Sequence, residues 1–142
     1  MAPRLLRPAR RRRLRASAEA LAPAATAWEI LTDTTLWPAW GPSVRSVRCD
    51  ERWIDTGLTG AVQLSIGPWL PFVIERFEPP YYWDWRVAGF HATGHRIEAL
   101  GATRCRIGFE FSPWAAPYYP VCRIAAVRVA RLAAERHAAD RV

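Results

Sequence analysis

Residues 103–111 of the chain read TRCRIGFEF, and their side chains alternate between two faces. One face carries Thr103, Cys105, Ile107, Phe109 and Phe111, and the other carries Arg104, Arg106, Gly108 and Glu110. Because a β-strand places successive side chains on opposite faces, this segment has one dry face and one wet face. The stretch therefore predicts a strand of an antiparallel sheet that covers a core.

Five further runs with the same two-residue period precede this stretch. They lie near residues 44–53, 60–66, 72–78, 81–88 and 93–100. The turn sequences DTG, GPWLP, EPP, AGFHATG and LGAT separate the runs. Six short strands joined by such brief turns indicate an antiparallel meander.

Helical patterns flank the meander on its N-terminal side. The sequence RRLRASAEA predicts a first strand that ends near Ala20, and Pro23 then suits the first turn of a helix. The apolar residues Ala24, Ala27, Trp28 and Leu31 follow at helical spacing. A second short turn, which carries Leu36 and Trp37, is predicted to end at Pro38, Gly41 and Pro42. We therefore expect two short helices after the first strand.

A long helix is predicted after the meander, with Pro117 and Pro120 in its first turn. Its apolar face consists of Cys122, Ala126, Val129 and Ala133. These side chains are small, whereas the facing strands are rich in aromatic residues. Packing the two together leaves volume that the helix alone does not fill.

Three segments resemble the START-like, or SRPBCC, superfamily, in particular its bacterial polyketide cyclase/dehydrase-like proteins. They are APAATAWEILTDTTLWPAWGPSVRSV, ERFEPPYYWDWRVAG and GHRIEALGATRCRIGFEFSP, and the resemblance covers roughly residues 14–140 in the right order. It implies an α+β helix-grip fold, in which a curved antiparallel sheet of about seven strands wraps a long C-terminal helix around a hydrophobic cavity. We expect residues 14–142 to form this single domain.

The cavity is expected to bind a hydrophobic small molecule such as a lipid, an isoprenoid or an aromatic polyketide. Trp37 and Trp40 would form its lid or wall, and Trp37 is equally consistent with a plug at the end of the core. His95 would supply the polar anchor. The predicted wall consists of Trp40, Trp69, Phe72, Trp83, Trp85, Ile97, Phe109, Phe111, Cys122, Ala126 and Val129.

Two other functions stay open at this point. A polyketide cyclase or dehydratase would use the same cavity, with His95 or Glu75 moving the proton. A partner-binding module would instead use the basic N-terminus. Metal binding is not expected, because an extended strand would place His91 and His95 about 13 Å apart.

Seven arginines lie in the first 15 residues, whereas the rest of the chain is neutral. We expect residues 1–13 to be a basic, disordered arm. Its alternatives are contact with nucleic acid phosphates or, through Arg10 to Arg13, weak contact with an anionic surface. Base-specific recognition of nucleic acid has no support in the sequence.

Several enzyme classes lack their residues in this sequence. The chain contains no lysine, which excludes a Schiff-base enzyme, a pyridoxal phosphate anchor and a Walker-type phosphate loop. No cofactor is expected. The chain has an odd number of cysteines without CxxC spacing: Cys49, Cys105 and Cys122. Together with the lack of the apolar run of a secretory signal, this favours the cytoplasm.

Overall fold

The computed structural model describes residues 13–141. Its strands are β1 (Leu14–Ala20), β2 (Val44–Arg48), β3 (Thr59–Leu64), β4 (Trp69–Glu78), β5 (Tyr82–Val87), β6 (Phe90–Gly101) and β7 (Arg104–Phe111). Its helices are α1 (Ala24–Thr32), α2 (Trp37–Trp40) and α3 (Tyr119–Asp140). Single 3-10 segments, Thr34–Leu36 and Pro113–Tyr118, precede α2 and α3.

The seven strands form one antiparallel sheet in the order β1-β7-β6-β5-β4-β3-β2. Strands β2 to β7 are the predicted meander, and β1 pairs with β7 from Leu14 opposite Phe111 to Ala20 opposite Cys105. Register shifts interrupt four of the strand pairs, and such bulges bend a sheet. The predicted helix-grip α+β fold is confirmed.

Helix α3 packs against β1, β7 and α1. Its buried face consists of Cys122, Ala125, Ala126, Val129, Ala130 and Ala133. Apart from Val129, these side chains are no larger than cysteine, so the face that α3 turns to the core is narrow in volume. Among residues 13–141, no helix is long and apolar enough to cross a membrane.

The strand expected over 44–53 ends at Arg48, because the chain then folds back onto α1. The backbone N–H of Thr34 donates to the carbonyl of Arg52 (2.8 Å), and Asp33 forms an isolated bridge with Trp53. The buried carboxylate of Asp33 accepts hydrogen bonds from Thr35 and from the Arg52 guanidinium (3.0 Å to Nη2). Burial raises the pKa of Asp33, but these hydrogen bonds outweigh burial and lower it below its usual range.

The turn expected over AGFHATG is shorter than the sequence indicated. Strand β6 begins at Phe90, so only Ala88 and Gly89 connect it to β5. Both residues have positive φ, 51° and 80°, as a tight hairpin of this kind requires. His91 and Thr93 therefore lie within a strand rather than a loop.

Candidate functional site

A cavity of about 530 Å³ lies between the concave face of the sheet, α2 and the first turns of α3. Aromatic and aliphatic side chains make up most of its wall. Its polar side chains are few: Ser43, His91, Thr93, His95, Ser112 and Tyr118. The described lining contains no aspartate, glutamate or arginine.

Five of the predicted wall residues and the predicted anchor His95 lie together around this cavity; the five are Trp40, Trp85, Phe109, Phe111 and Cys122. Five others, Phe72, Trp83, Ile97, Ala126 and Val129, are buried in the core but do not line the cavity. Trp69 lies at the start of β4, only partly buried, with the Arg48 guanidinium 4.2 Å from its ring centroid. The structure thus brings together one end of the predicted set.

The sequence missed part of the wall. The missing side chains come from the start of β6, from the segment that leads into α3 and from the first turns of α3; they include Ala92, Thr93, Trp114, Tyr118, Val121 and Ala125. The aromatic cluster in SPWAAPYYP was the available signal, because Trp and Tyr are unusual in a solvated connection.

Trp37 is both core residue and cavity wall. Its side chain is 1% exposed, and its ring stacks on Trp83 with a centroid distance of 5.5 Å and an interplanar angle of 10°. Its ring also meets Trp85 edge-on at 5.2 Å. The indole N–H donates to the carbonyl of Leu31 (3.0 Å), which fixes α2 on α1. Trp37 therefore forms a rigid inner wall.

Trp40 continues this wall one turn further along. Its indole N–H donates to the carbonyl of Ile30 (3.3 Å), and its ring meets Phe109 edge-on at 5.4 Å. Two indoles of α2 thus point their apolar rings at the sheet, and their polar atoms at α1.

His95 lies at the inner wall and is almost fully buried. Its ring stacks on Trp83 at 3.7 Å, its Nδ1 is 3.2 Å from the Trp83 carbonyl, and its Nε2 is 3.2 Å from Oγ1 of Thr93. Burial lowers the pKa of His95 to about 3, against the opposing effect of the hydrogen bond to Trp83. The imidazole is therefore neutral at physiological pH.

Glu75, the second predicted catalytic residue, does not line the cavity. Its carboxylate is exposed and accepts a hydrogen bond from Arg86 (2.9 Å). It also lies 3.6 Å from Nδ1 of His91. The structure therefore does not bring Glu75 and His95 to one site.

Glu75, Asp84 and His91 place possible metal-ligand atoms within 4.8 Å of one another. Sequence spacing had given no sign of this group, because its members come from three strands. The guanidinium of Arg86 bonds Glu75, and that of Arg13 contacts His91. These two positive charges lie next to the possible ligand atoms of Glu75 and His91, and they oppose the binding of a cation there.

The mouth of the cavity is rimmed by exposed aromatic side chains. Trp114 is 75% exposed and Phe90 is 72% exposed, although both line the cavity. In the segment that carries Trp114, the Tyr118 hydroxyl donates to Oγ of Ser43 (2.6 Å). This bond ties the segment before α3 to the loop after α2.

Comparison with solved structures gives the same fold. The Zhui aromatase/cyclase from Streptomyces is similar over 92% of this chain and 96% of its own, with a TM-score of 0.59 and 16% identity. A norcoclaurine synthase mutant from Thalictrum, solved with a transition-state analogue, is similar over 88% and 95%, with a TM-score of 0.58 and 11% identity. A protein from Thermobifida fusca is similar over 89% and 93%, with a TM-score of 0.65 and 18% identity.

None of the curated proteins matches this sequence significantly. The model of one family, described as "Polyketide cyclase / dehydrase and lipid transport", matches residues 11–139. That match spans the sheet, all three helices and the cavity. The chain therefore belongs to the polyketide cyclase/dehydrase and lipid transport family, whose fold is a hydrophobic ligand-binding fold.

Proposed function

We propose that this protein binds a mostly apolar small molecule, of the size of an isoprenoid, an aromatic polyketide or a lipid chain, in the cavity. The observation that carries the proposal is the cavity itself, which has about 530 Å³ of space behind an open mouth and a wall made mainly of apolar side chains. Ligand pockets of this size and character are typical of small-molecule sites.

The inner wall supports an apolar ligand for a second reason. The indole N–H groups of Trp37 and Trp40 are already bonded to backbone carbonyls of α1. Their rings therefore present only carbon to the cavity. Burial of apolar ligand surface against such a wall contributes about 25 cal/mol per Å².

Binding has better support than the cyclase or dehydratase alternative. A cyclisation that moves protons needs an acid or base at the ligand. Glu75 lies outside the cavity, and both ring nitrogens of His95 already have hydrogen-bond partners. Neither of the two residues expected to move the proton is therefore available at the ligand, whereas the wall can supply shape and orientation.

A bulky residue at position 125 is expected to abolish ligand binding. Ala125 lines the cavity from α3, whereas Ala126, although buried, does not. In Ala125→Phe the new ring would take up ligand space, so we expect the dissociation constant of the neutral fluorescent probe N-phenyl-1-naphthylamine to rise at least about tenfold. The measurement is a fluorescence titration of the full chain.

Ile124→Phe is the matched control, because Ile124 is the preceding residue of the same helix and is exposed. This variant is expected to bind the probe within about twofold of wild type. Equal binding by wild type and Ala125→Phe would mean that the probe sits elsewhere, and would refute the cavity as the ligand site. Thermal unfolding of both variants confirms that they are folded.

We further propose that the ligand is exchanged at an anionic membrane surface. In the antiparallel sheet, the starts of β1, β4 and β6 and the ends of β3, β5 and β7 lie at one end. The mouth, with exposed Phe90 and Trp114, is at this end. Exposed aromatic tips beside a basic segment are typical of surfaces that contact anionic lipid.

The basic segment enters the fold at the same end. Five arginines at positions 4, 7, 10, 11 and 12 precede Arg13, which leads directly into β1. Residues 1–12 of the expected arm lie outside the described residues, so the contribution of these five arginines rests on sequence and connectivity. Each arginine near an anionic bilayer contributes about 1 kcal/mol of attraction.

Vesicle flotation tests this second proposal. The full chain is expected to float with phosphatidylglycerol vesicles, to bind phosphatidylcholine vesicles more weakly, and to be released by high salt. The double variant Phe90→Ser, Trp114→Ser should lose binding, and Ile124→Ser should keep it. Binding that survives the double variant and is competed by an oligonucleotide would assign the arm to nucleic acid instead, and would overturn the membrane proposal.

A further inference from the structure

We infer that the polar anchor of the cavity is a hydrogen-bond acceptor, Oγ1 of Thr93, and that the ligand presents a hydroxyl or N–H group to it. This inference rests on the proposed binding function and specifies the chemical class of the ligand: an apolar molecule with a donor, such as a phenol or an alcohol, rather than a ketone or an ether. The positions of three protons carry it.

The first proton lies on Nδ1 of His95. A backbone carbonyl can only accept a hydrogen bond, so the contact between Nδ1 and the Trp83 carbonyl (3.2 Å) requires an N–H at Nδ1. The imidazole is neutral because it is buried, and a neutral imidazole carries only one N–H. Nε2 of His95 therefore carries no proton and can only accept a hydrogen bond.

The second proton belongs to Trp85. Its indole nitrogen can only donate, and it lies 3.1 Å from Oγ1 of Thr93. The Thr93 oxygen therefore accepts this bond with one of its two lone pairs.

The third proton is that of the Thr93 hydroxyl itself. Its oxygen lies 3.2 Å from Nε2 of His95, which has no proton to give. The hydroxyl must therefore donate to His95. The result is a chain of hydrogen bonds in which Trp85 donates to Thr93, Thr93 donates to His95, and His95 donates to the Trp83 carbonyl. Each of the three protons is used in one of these bonds.

One acceptor position is left over in this chain. A hydroxyl oxygen has two lone pairs, and only one of those on Thr93 is used by Trp85. Thr93 is half-buried and lines the cavity, so a ligand within it can reach the second lone pair. A ligand hydroxyl would donate to it, whereas a carbonyl or ether oxygen at the same point would face it lone pair to lone pair.

The indole N–H groups at the cavity wall already have hydrogen-bond partners. The indole N–H groups of Trp37 and Trp40 bond to α1, and that of Trp85 bonds to Thr93. The buried Nε1 of Trp83 has no partner among the described residues, but Trp83 does not line the cavity. None of these three indole N–H groups is therefore available to a ligand, and the free hydrogen-bonding position beside Trp85 and His95 is the acceptor on Thr93.

The test is a binding cycle with two probes of similar shape, 2-naphthol and 2-methoxynaphthalene, on wild type and Thr93→Val. The ratio of the two dissociation constants is measured calorimetrically for each protein. In Thr93→Val a methyl group of similar size replaces the hydroxyl, so the proposed acceptor is removed. We expect the ratio to shift about fivefold towards the ether, which corresponds to the loss of one hydrogen bond. The different hydrophobicities of the probes cancel in this comparison.

Thr93→Ser keeps the hydroxyl and should keep the wild-type ratio. A crystal structure of wild type with 2-naphthol supports the inference independently of any variant if the naphthol oxygen lies within hydrogen-bond distance of Thr93 Oγ1. If both probes bind but the ratio is the same in wild type and Thr93→Val, the anchor is wrong and the binding function stands. If neither naphthalene probe binds wild type, and N-phenyl-1-naphthylamine does not bind either, the proposed function and the anchor are both wrong.

Discussion

Replacing Trp37 with alanine is expected to lower the free energy of unfolding by about 3–5 kcal/mol, the usual range for a buried Trp-to-Ala change. The side chain is fully enclosed and meets three aromatic rings: Phe72 at 5.4 Å, Trp83 at 5.5 Å and Trp85 at 5.2 Å. The variant would leave a large void next to the cavity. Because domains of this size are stable by about 5–15 kcal/mol, a loss of this size is a large part of the total.

Urea denaturation followed by circular dichroism measures this effect, since tryptophan fluorescence would itself change. Trp37→Phe is the matched variant, because it keeps an aromatic ring but loses the hydrogen bond to the Leu31 carbonyl (3.0 Å). We expect it to cost less than the alanine variant and more than about 1 kcal/mol. A loss below about 1 kcal/mol in Trp37→Ala would contradict the role of Trp37 as a packed inner wall.

Mild acid is expected to destabilise the protein through His95. Its pKa is about 6.5 in an unfolded chain and is lowered by burial to about 3 in the fold. The unfolded state therefore takes up a proton below pH 6.5 while the native state does not. The contribution of His95 to stability is complete above pH 6.5 and is lost, by about 1.4 kcal/mol per pH unit, as the pH falls towards 3.

Urea denaturation at several pH values between 7 and 5 measures this slope. His95→Gln cannot take up the proton, so its stability should depend much less on pH over this range, whatever its stability at pH 7. His91→Gln leaves His95 in place and should keep the steep wild-type dependence. Parallel slopes for wild type and His95→Gln would show that His95 is not the buried neutral group that the Thr93 anchor requires.

The fold followed from the sequence because its elements have clear periods. The two-residue alternation of TRCRIGFEF appears as β7, Arg104–Phe111, and the small apolar residues at helical spacing lie on the buried face of α3. The boundaries were less accurate where long-range contacts decide them. The segment after Arg48 leaves the sheet because Arg52 bonds to Asp33, a contact between residues that are distant in sequence.

The cavity wall could be predicted only in part from the sequence. Periodicity gives the face of a strand or helix on which a side chain lies, but not whether that position along the element lies beside the cavity or in the closed core. Ile97 and Val129 point to the same interior as Phe109, yet they lie in the closed core. Thr93 was missed because AGFHATG was assigned to a turn, whereas the hairpin needs only Ala88 and Gly89.

Trp37 is packed in the core and also lies at the cavity wall. Its ring contacts three other aromatic rings and still borders the cavity. Sequence alone did not separate the two roles, since both place a rigid aromatic ring on the short helix. Trp40, on the same helix, likewise directs its indole N–H to α1 and its ring to the cavity.

Intermolecular nuclear Overhauser effects between bound 2-naphthol and the protein test whether a ligand lies inside the cavity. We expect contacts from the naphthol ring protons to the side chains of Trp85, Phe109 and Ala125, all of which line the cavity. Contacts confined to the exposed rings of Phe90 and Trp114 would place the molecule on the rim, and no contact at any position would leave the cavity without a ligand. Either of these results would contradict an internal binding site.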